Sequence, residues 1–259
     1  MGAIKGVSVT LIIFLLGVLV SCSQNRELVG KRARAKAQLG GELVAAGKPG
    51  AGLKHLRDAL ELDPENADIH HELALGYRNL RKDERALYHF NRALTLRPVF
   101  PEALNNLGTL CLMMGQWDRA IEAFQKELNI NTYNTPHFAY NNMGFAYFKK
   151  KEYEKAMENY RSALRLFYAY PSCHRNLAMV YDTLNRHEQA VNAYKQAISY
   201  APDEPGAYLE LGRLYLKLGR VEEARKALKR TITLDAHGPY GDEASRSLKR
   251  IREEGLSEE

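Results

Sequence analysis

The sequence predicts an all-α fold in which one helical hairpin is repeated about six times. Small residues recur at spacings of 34, 34, 36, 34 and 34 residues, and a second series of small residues repeats these spacings. The first series is Gly40, Ala74, Gly108, Gly144, Ala178 and Gly212, and the second is Gly52, Ala86, Ala120, Ala156, Ala190 and Ala224. A constant period of this length is typical of a solenoid, in which each repeat packs only on its neighbours.

Each period is interpreted as two antiparallel helices. Small residues let the helices approach closely, and large residues between the two series fill the space between repeats. These larger residues are Leu43, Tyr77, Cys111, Tyr147, Tyr181 and Tyr215, followed by Leu56, Phe90, Phe124, Tyr160, Tyr194 and Leu228. Pro64, Pro98 and Pro202 mark where second helices end, because proline has no amide hydrogen and restricts the residue before it. The pattern resembles the tetratricopeptide repeat, which implies a right-handed superhelical solenoid.

The predicted repeats divide residues 33–238 into six units and leave residues 239–259 as a capping helix and tail. The repeats are 33–66, 67–100, 101–134, 137–170, 171–204 and 205–238. The third carries Glu127 where most others have alanine, and two extra residues precede the fourth. We expect this widened junction to divide the array into three repeats and three. Leu248 and Ile251 lie on one side of the capping helix, which is predicted to cover the last repeat.

The N-terminus has the layout of an export signal. Lys5 precedes an apolar run from Val7 to Val20. The next residues complete Leu19-Val20-Ser21-Cys22, which resembles the lipobox of bacterial lipoproteins and implies removal of residues 1–21, acylation of Cys22 and a tether over residues 22–32. Ser23 in place of aspartate points to the inner leaflet of an outer membrane. The alternative is an uncleaved membrane helix, although the run is shorter than the ~20 residues that a span requires.

Composition excludes several classes of protein. Of 259 residues, 45% are hydrophobic and 26% are charged, with a net charge of +6, so the chain is not disordered. Three cysteines are too few for a disulfide framework, and Cys111 and Cys173 are predicted to be buried thiols. The pI is near 9.1, but the positive charges are dispersed and the signal directs the chain out of the cytoplasm, so no nucleic-acid partner is expected.

A candidate binding groove follows from the first helices of the repeats. Three successive repeats carry asparagine two positions before the small residue, in the strings LNNLG, YNNMG and HRNLA. We call Asn106, Asn142 and Asn176 the asparagine ladder, and it resembles the ladder by which O-linked N-acetylglucosamine transferase pairs with the main chain of a peptide. The resemblance implies peptide binding, to which the adjacent Asn105 and Asn141 would contribute. The alternative is that these amides bond within the superhelix or to water.

An apolar stripe accompanies the ladder on the same helices. The candidates for peptide contact are Phe138, Phe145, Phe148 and Met179, with Met113 in the third repeat. If exposed, these side chains would line a groove for a peptide or a helix. A stripe of this kind also fits a role in the core.

The sequence has no signature of an enzyme, a cofactor site or a metal site. Walker, GxGxxG, HExxH and CxxC motifs are absent. His70, His71 and Glu72 are adjacent on a helix and therefore point in different directions, so we expect a solvated face rather than a metal site. The basic residues between Lys31 and Lys36 could contact anionic head groups or simply face solvent.

The lipobox, six repeats and widened junction together resemble the type IV pilus biogenesis pilotin lipoproteins of Gram-negative bacteria. That resemblance implies a non-catalytic, lipid-anchored scaffold on the periplasmic face of the outer membrane that binds secretin subunits and promotes their assembly. Two alternatives are an adaptor for periplasmic cell-wall hydrolases and a regulatory module of a polysaccharide or glycosylation complex.

Overall fold

The computed structural model describes residues 27–130 and 135–253, which form thirteen helices and no strand. The first helix, α1, covers residues 27–45. The remaining helices are α2 (Pro49–Leu62), α3 (Ala67–Asn79), α4 (Asp83–Leu96), α5 (Pro101–Met113), α6 (Trp117–Leu128), α7 (Pro136–Lys149), α8 (Tyr153–Leu166), α9 (Pro171–Thr183), α10 (His187–Tyr200), α11 (Pro205–Lys217), α12 (Val221–Leu234) and α13 (Pro239–Glu253). The all-α repeat architecture predicted from the 34-residue period is confirmed.

Prolines define both ends of many helices. As predicted, Pro64, Pro98 and Pro202 each follow a second helix by two residues. A further set of prolines begins helices, where the missing amide hydrogen would have had no partner in any case. These are Pro49, Pro101, Pro136, Pro171, Pro205 and Pro239.

One left-handed residue ends each turn between the two helices of a repeat. Its φ lies between 56° and 73° in all six turns, a conformation that glycine adopts more readily than other residues. The six are Gly47, Arg81, Gly115, Lys151, Asn185 and Gly219, which repeat the spacing of the small residues. The amide of Lys151 donates to Phe148 O at 2.9 Å, and this bond closes its turn.

The described residues divide into two compact units, with the division between Gly115 and Gln116. The boundary lies in the turn of the third repeat and not at the extra residues before Pro136, so the expected three-and-three division is wrong in position. α6 packs on α7 and therefore groups with the repeats that follow it. Glu127 on α6 is completely buried.

In the first unit, α1 and α2 cross closely because each contributes a glycine at the contact. A Cβ on Gly52 would lie 2.6 Å from the carbonyl oxygen of Gly40 and 2.7 Å from Cγ2 of Val44. α3 packs on α2 and α4, and α4 packs on α5. Leu56 and Phe90, from the predicted filling series, are fully buried.

In the second unit, consecutive helices from α6 to α13 pack in order. Tyr160 and Tyr194 fill its core with the buried thiol of Cys173. Burial raises the pKa of this thiol to about 12, and the thiol of Cys111 is also buried, as predicted. The last helix, α13, buries Leu248 and Ile251 in a cluster with Leu209 and Leu228.

No helix of residues 27–130 or 135–253 combines the length and the apolar composition that a membrane crossing needs. The proposed signal, Cys22 and residues 23–26 of the proposed tether lie outside the described residues, whereas residues 27–32 belong to α1.

Candidate functional site

In the second unit, the asparagines connect successive first helices. Asn176 on α9 donates from Nδ2 to Oδ1 of Asn141 on α7 at 3.0 Å. Asn141 in turn donates from Nδ2 to Oδ1 of its neighbour Asn142 at 3.3 Å. Asn141 is only 7% exposed, so its amide is engaged within the array. Asn142 and Asn176 are half-buried, and each amide has capacity for further hydrogen bonds.

In the first unit, a hydrogen bond between an asparagine and a histidine connects successive first helices in the same way. Asn106 on α5 lies with Nδ2 3.1 Å from Nε2 of His71 on α3, the residue that corresponds to Asn141. Its Oδ1 accepts from Nη1 of Arg78 at 2.9 Å. Because an amide NH₂ can only donate, Nε2 of His71 accepts, so this histidine carries its proton on Nδ1. Asn105 is half-buried beside it on α5.

The aromatic residues of the stripe have two different environments. Phe138 is 43% exposed and meets Tyr170 edge-on with ring centroids 5.5 Å apart. Phe145 is half-buried and lies between two neighbours: the ring of Trp117 at 6.4 Å and Nζ of Lys149, 5.2 Å from the Phe145 centroid. Phe148 and Met179 pack against the core of the second unit and are partly accessible.

Phe138 belongs to an aromatic cluster of the second unit that also contains His137, Phe167 and Tyr170. A second group of rings consists of Tyr168, His174 and Tyr200. Both groups come from the ends of neighbouring helices and the segments that join them. The repeat spacing does not predict these groups, because most members lie outside the two helix faces that it defines.

A concave groove of about 680 Å³ lies between α1 and α3 in the first unit. Arg34 and Glu42 line it from α1, and Asp68 and Glu72 from α3. Burial raises the pKa of the Glu72 carboxyl, and the nearby Asp68 carboxylate raises it further. Gly41 makes room for this carboxyl, since a Cβ there would lie 2.9 Å from Oε2 of Glu72. The groove thus offers carboxylates beside one arginine.

The expectation that His70 and His71 form a solvated face is wrong, since both are buried. Nε2 of His70 donates to the carbonyl oxygen of Pro64 at 3.2 Å, so its Nδ1 accepts a hydrogen bond of 2.9 Å from Nδ1 of His89 on α4. Tyr77 stacks on His89 with centroids 5.4 Å apart. Burial lowers the pKa of His89 to about 4, with a smaller contribution from His70.

This histidine pair belongs to the helix interface and not to a metal centre. Within the described ranges, no group of three or more histidine, cysteine, aspartate or glutamate residues is placed to hold a metal ion.

Comparisons with known proteins agree with this architecture. Tetratricopeptide-repeat family models match residues 38–99, 101–134, 136–203 and 184–244. The crystal structure of PilW, a widely conserved type IV pilus biogenesis factor, superposes with a TM-score of 0.73 at 24% identity over 83% of this chain and 98% of PilW. PilF of Pseudomonas aeruginosa superposes with a TM-score of 0.70 at 21% identity over 86% of this chain and 99% of PilF.

A third solved structure, MamA, is similar over a shorter part of this chain. It is 27% identical, with a TM-score of 0.56, over 63% of this chain and 95% of MamA. The helix-pair fold, the two series of small residues and the four matches agree in period and position. This chain is therefore a tetratricopeptide-repeat protein.

Proposed function

We propose that this chain is a non-catalytic scaffold, anchored by lipid on Cys22 at the periplasmic face of the outer membrane, that acts like a pilotin in assembling a type IV pilus secretin. The anchor fixes the destination of the protein, and the concave surface binds the partner. Secretin subunits are the proposed partner.

The observation that carries this proposal is the extent of the likeness to PilW and PilF. This chain covers 98% of PilW and 99% of PilF, so their repeats correspond to repeats here almost from end to end. PilW is described as a type IV pilus biogenesis factor. The lipobox-like string that ends at Cys22 adds an independent reason to place the protein at a membrane.

The geometry of the second unit suits an extended protein segment. The free capacity of the Asn142 and Asn176 amides fits the donors and acceptors of a main chain, whatever its sequence. Phe145 offers a partly accessible ring beside Lys149, which would favour an apolar side chain next to a carboxylate. Most of the binding energy of such a surface is expected from a few aromatic contacts.

The proposal is tested by deleting the gene in its own organism and following the detergent-resistant secretin multimer and surface pili. We expect both to be lost and to return with the wild-type chain. A variant with Asn142→Ala and Asn176→Ala should restore them poorly, while Tyr88→Ala, on exposed α4 surface, should restore them fully. Multimers and pili that persist after deletion would overturn the proposal, and a change in hydrolase abundance would favour the cell-wall adaptor instead.

A further inference from the structure

The first repeat exposes a face that every other repeat buries. Leu39 on α1 is 44% exposed, whereas the residues at the same repeat position are 0–9% exposed. Those residues are Leu73, Leu107, Met143, Leu177 and Leu211. Ala35 is also exposed, although the corresponding Ile69, Ala103, Ala139, Cys173 and Ala207 are buried. At the other end of the chain, α13 covers Leu209 and Leu228 of the last repeat.

This open surface has the pattern of an amphipathic helix. Leu28, Arg32, Ala35 and Leu39 follow the i, i+4, i+7, i+11 spacing of one helical stripe, and we call them the end face of α1. Leu28 is 56% exposed. Two leucines with a cation between them are an arrangement that lies well in the interface of a membrane.

Charge distinguishes a lipid surface from the other possible occupants. Lys31 and Lys36 flank the end face on either side, and Arg32 lies within it. Lys31 pairs with Glu27 at 2.6 Å and Lys36 with Asp58 at 2.9 Å, so the positive charge that these pairs leave on the face is that of Arg32. Two copies of this face would bring like charges together, whereas anionic head groups complement them. Each basic residue at such a surface strengthens binding about fivefold.

The chain also brings this face close to the proposed anchor. Only four residues separate Cys22 from residue 27, where the description of α1 begins. Fully extended, the five main-chain steps from residue 22 to residue 27 reach about 17 Å. An anchor that ends at Cys22, whether acyl chains or an uncleaved apolar segment, would therefore hold α1 at the membrane surface.

We propose that the end face of α1 docks on an anionic lipid surface, with Leu28 and Leu39 in the interface and Arg32 and Lys31 among the head groups. This inference rests on the membrane anchoring in the proposed function and is independent of the secretin partner. Docking would fix the first repeat against the membrane, so the anchor would not act as a loose tether.

Tryptophan fluorescence of the full chain in vesicles tests the docking. The chain has a single tryptophan, so Leu39→Trp in a Trp117→Phe background gives one indole on the end face, and Tyr88→Trp in the same background is the exposed control. We expect brominated lipids in phosphatidylglycerol vesicles to quench the Leu39→Trp indole several-fold more than the Tyr88→Trp indole. Lys31→Glu with Arg32→Glu, or about 1 M salt, should remove most of this difference.

The outcomes separate docking from the other claims. Full chain that binds vesicles but shows equal quenching at the two positions overturns the docking and leaves the anchor intact. Chain that stays in solution overturns both. Quenching that is unchanged by the charge reversal contradicts an anionic surface. If the Leu39→Trp indole becomes shielded in the absence of vesicles, and more so at higher protein concentration, the face binds a second copy of the chain instead. Loss of secretin assembly in a chain that still docks on vesicles would concern the proposed function and would not bear on the docking.

Discussion

The amide of Asn176 donates a hydrogen bond of 3.0 Å to the side-chain oxygen of Asn141, which lies 35 residues earlier and is almost completely buried. Through this bond, a residue of the predicted binding ladder also takes part in holding two adjacent repeats together. Asn106 and His71 occupy the corresponding positions in the first unit at 3.1 Å. Peptide binding by the ladder stays a prediction, but its asparagines have a structural role as well.

Removing either partner of that bond is expected to destabilise the second unit. Asn176→Ala leaves the buried oxygen of Asn141 without this donor, at an expected cost of about 1 kcal/mol in the free energy of unfolding. Chemical denaturation of Asn176→Ala, Asn141→Ala and the double variant would give the coupling energy. Asn192→Ala, at an exposed position of α10, is the control and should be nearly neutral. Additive single effects would show that the two amides do not interact.

The left-handed turns predict a stabilising substitution. Lys151 has φ 63° and is exposed, so Lys151→Gly should relieve backbone strain and raise the free energy of unfolding by about 1 kcal/mol. Lys151→Ala is the matched control. Alanine still has a Cβ that disfavours the left-handed conformation, so its free energy of unfolding should rise little. Thermal unfolding of the two variants measures the difference. Equal melting temperatures would contradict the assigned backbone conformation.

The glycine contact between α1 and α2 predicts opposite effects at two nearby positions. Gly52→Ala would push a methyl group against the main chain of Gly40 and should cost about 1 to 3 kcal/mol. Gly50→Ala adds a methyl group into open space on the same helix and should stabilise by up to about 1 kcal/mol. Denaturant titration compares the two. A neutral Gly52→Ala would mean that these helices cross less closely.

The hydrogen-bonded pair of His70 and His89 predicts a loss of stability in acid. Since the pKa of His89 is about 4 in the folded chain and near 6.5 when unfolded, the unfolded state binds more protons between these values. The stabilisation that comes from the neutral His89 ring is therefore complete above pH 6.5 and decreases as the pH drops towards 4. Below pH 4 it decreases no further. The difference between these pKa values corresponds to at most about 3 kcal/mol, and solvent screening of the half-buried ring reduces the expected effect to about 1 to 2 kcal/mol. Denaturation at a series of pH values should show this slope.

Two variants separate the histidine pair from other titrating groups. His89→Phe should flatten the pH dependence between 6.5 and 4, even if it lowers stability at neutral pH. His237→Gln, at an exposed position, should leave the slope as in the wild type. A slope that is unchanged in His89→Phe would assign the acid sensitivity to other residues.

The anchor has its own test, because Cys22 lies outside the described residues. We expect the wild-type chain to incorporate labelled palmitate and to fractionate with the outer membrane. Cys22→Ala should lose the label and either become soluble or retain its signal in the inner membrane. A Cys22→Ala chain that is processed and still labelled would contradict the lipobox interpretation.

The period of the sequence was sufficient to predict the helices, because Gly144 and Ala156 must sit where two helices touch and Tyr160 must fill the gap beside them. Local pattern could not reveal the burial of His70, since that depends on His89 in the next helix and on the carbonyl of Pro64. The bridging role of Asn141 was equally hidden, because its partner lies 35 residues away. The left-handed conformation of Arg81 and Lys151 cannot be predicted from their residue types, because arginine and lysine do not favour that conformation.

The most direct test of the central claim is site-specific photocrosslinking in the organism's own cells. A photoreactive amino acid replaces Phe145 on the proposed binding surface of the second unit. A matched variant carries it at Leu166, which is exposed on α8. We expect the Phe145 position to crosslink to secretin subunits and the Leu166 position not to do so. Absence of a secretin crosslink from Phe145 while secretin is being made, or equal crosslinking from Leu166, would contradict the account.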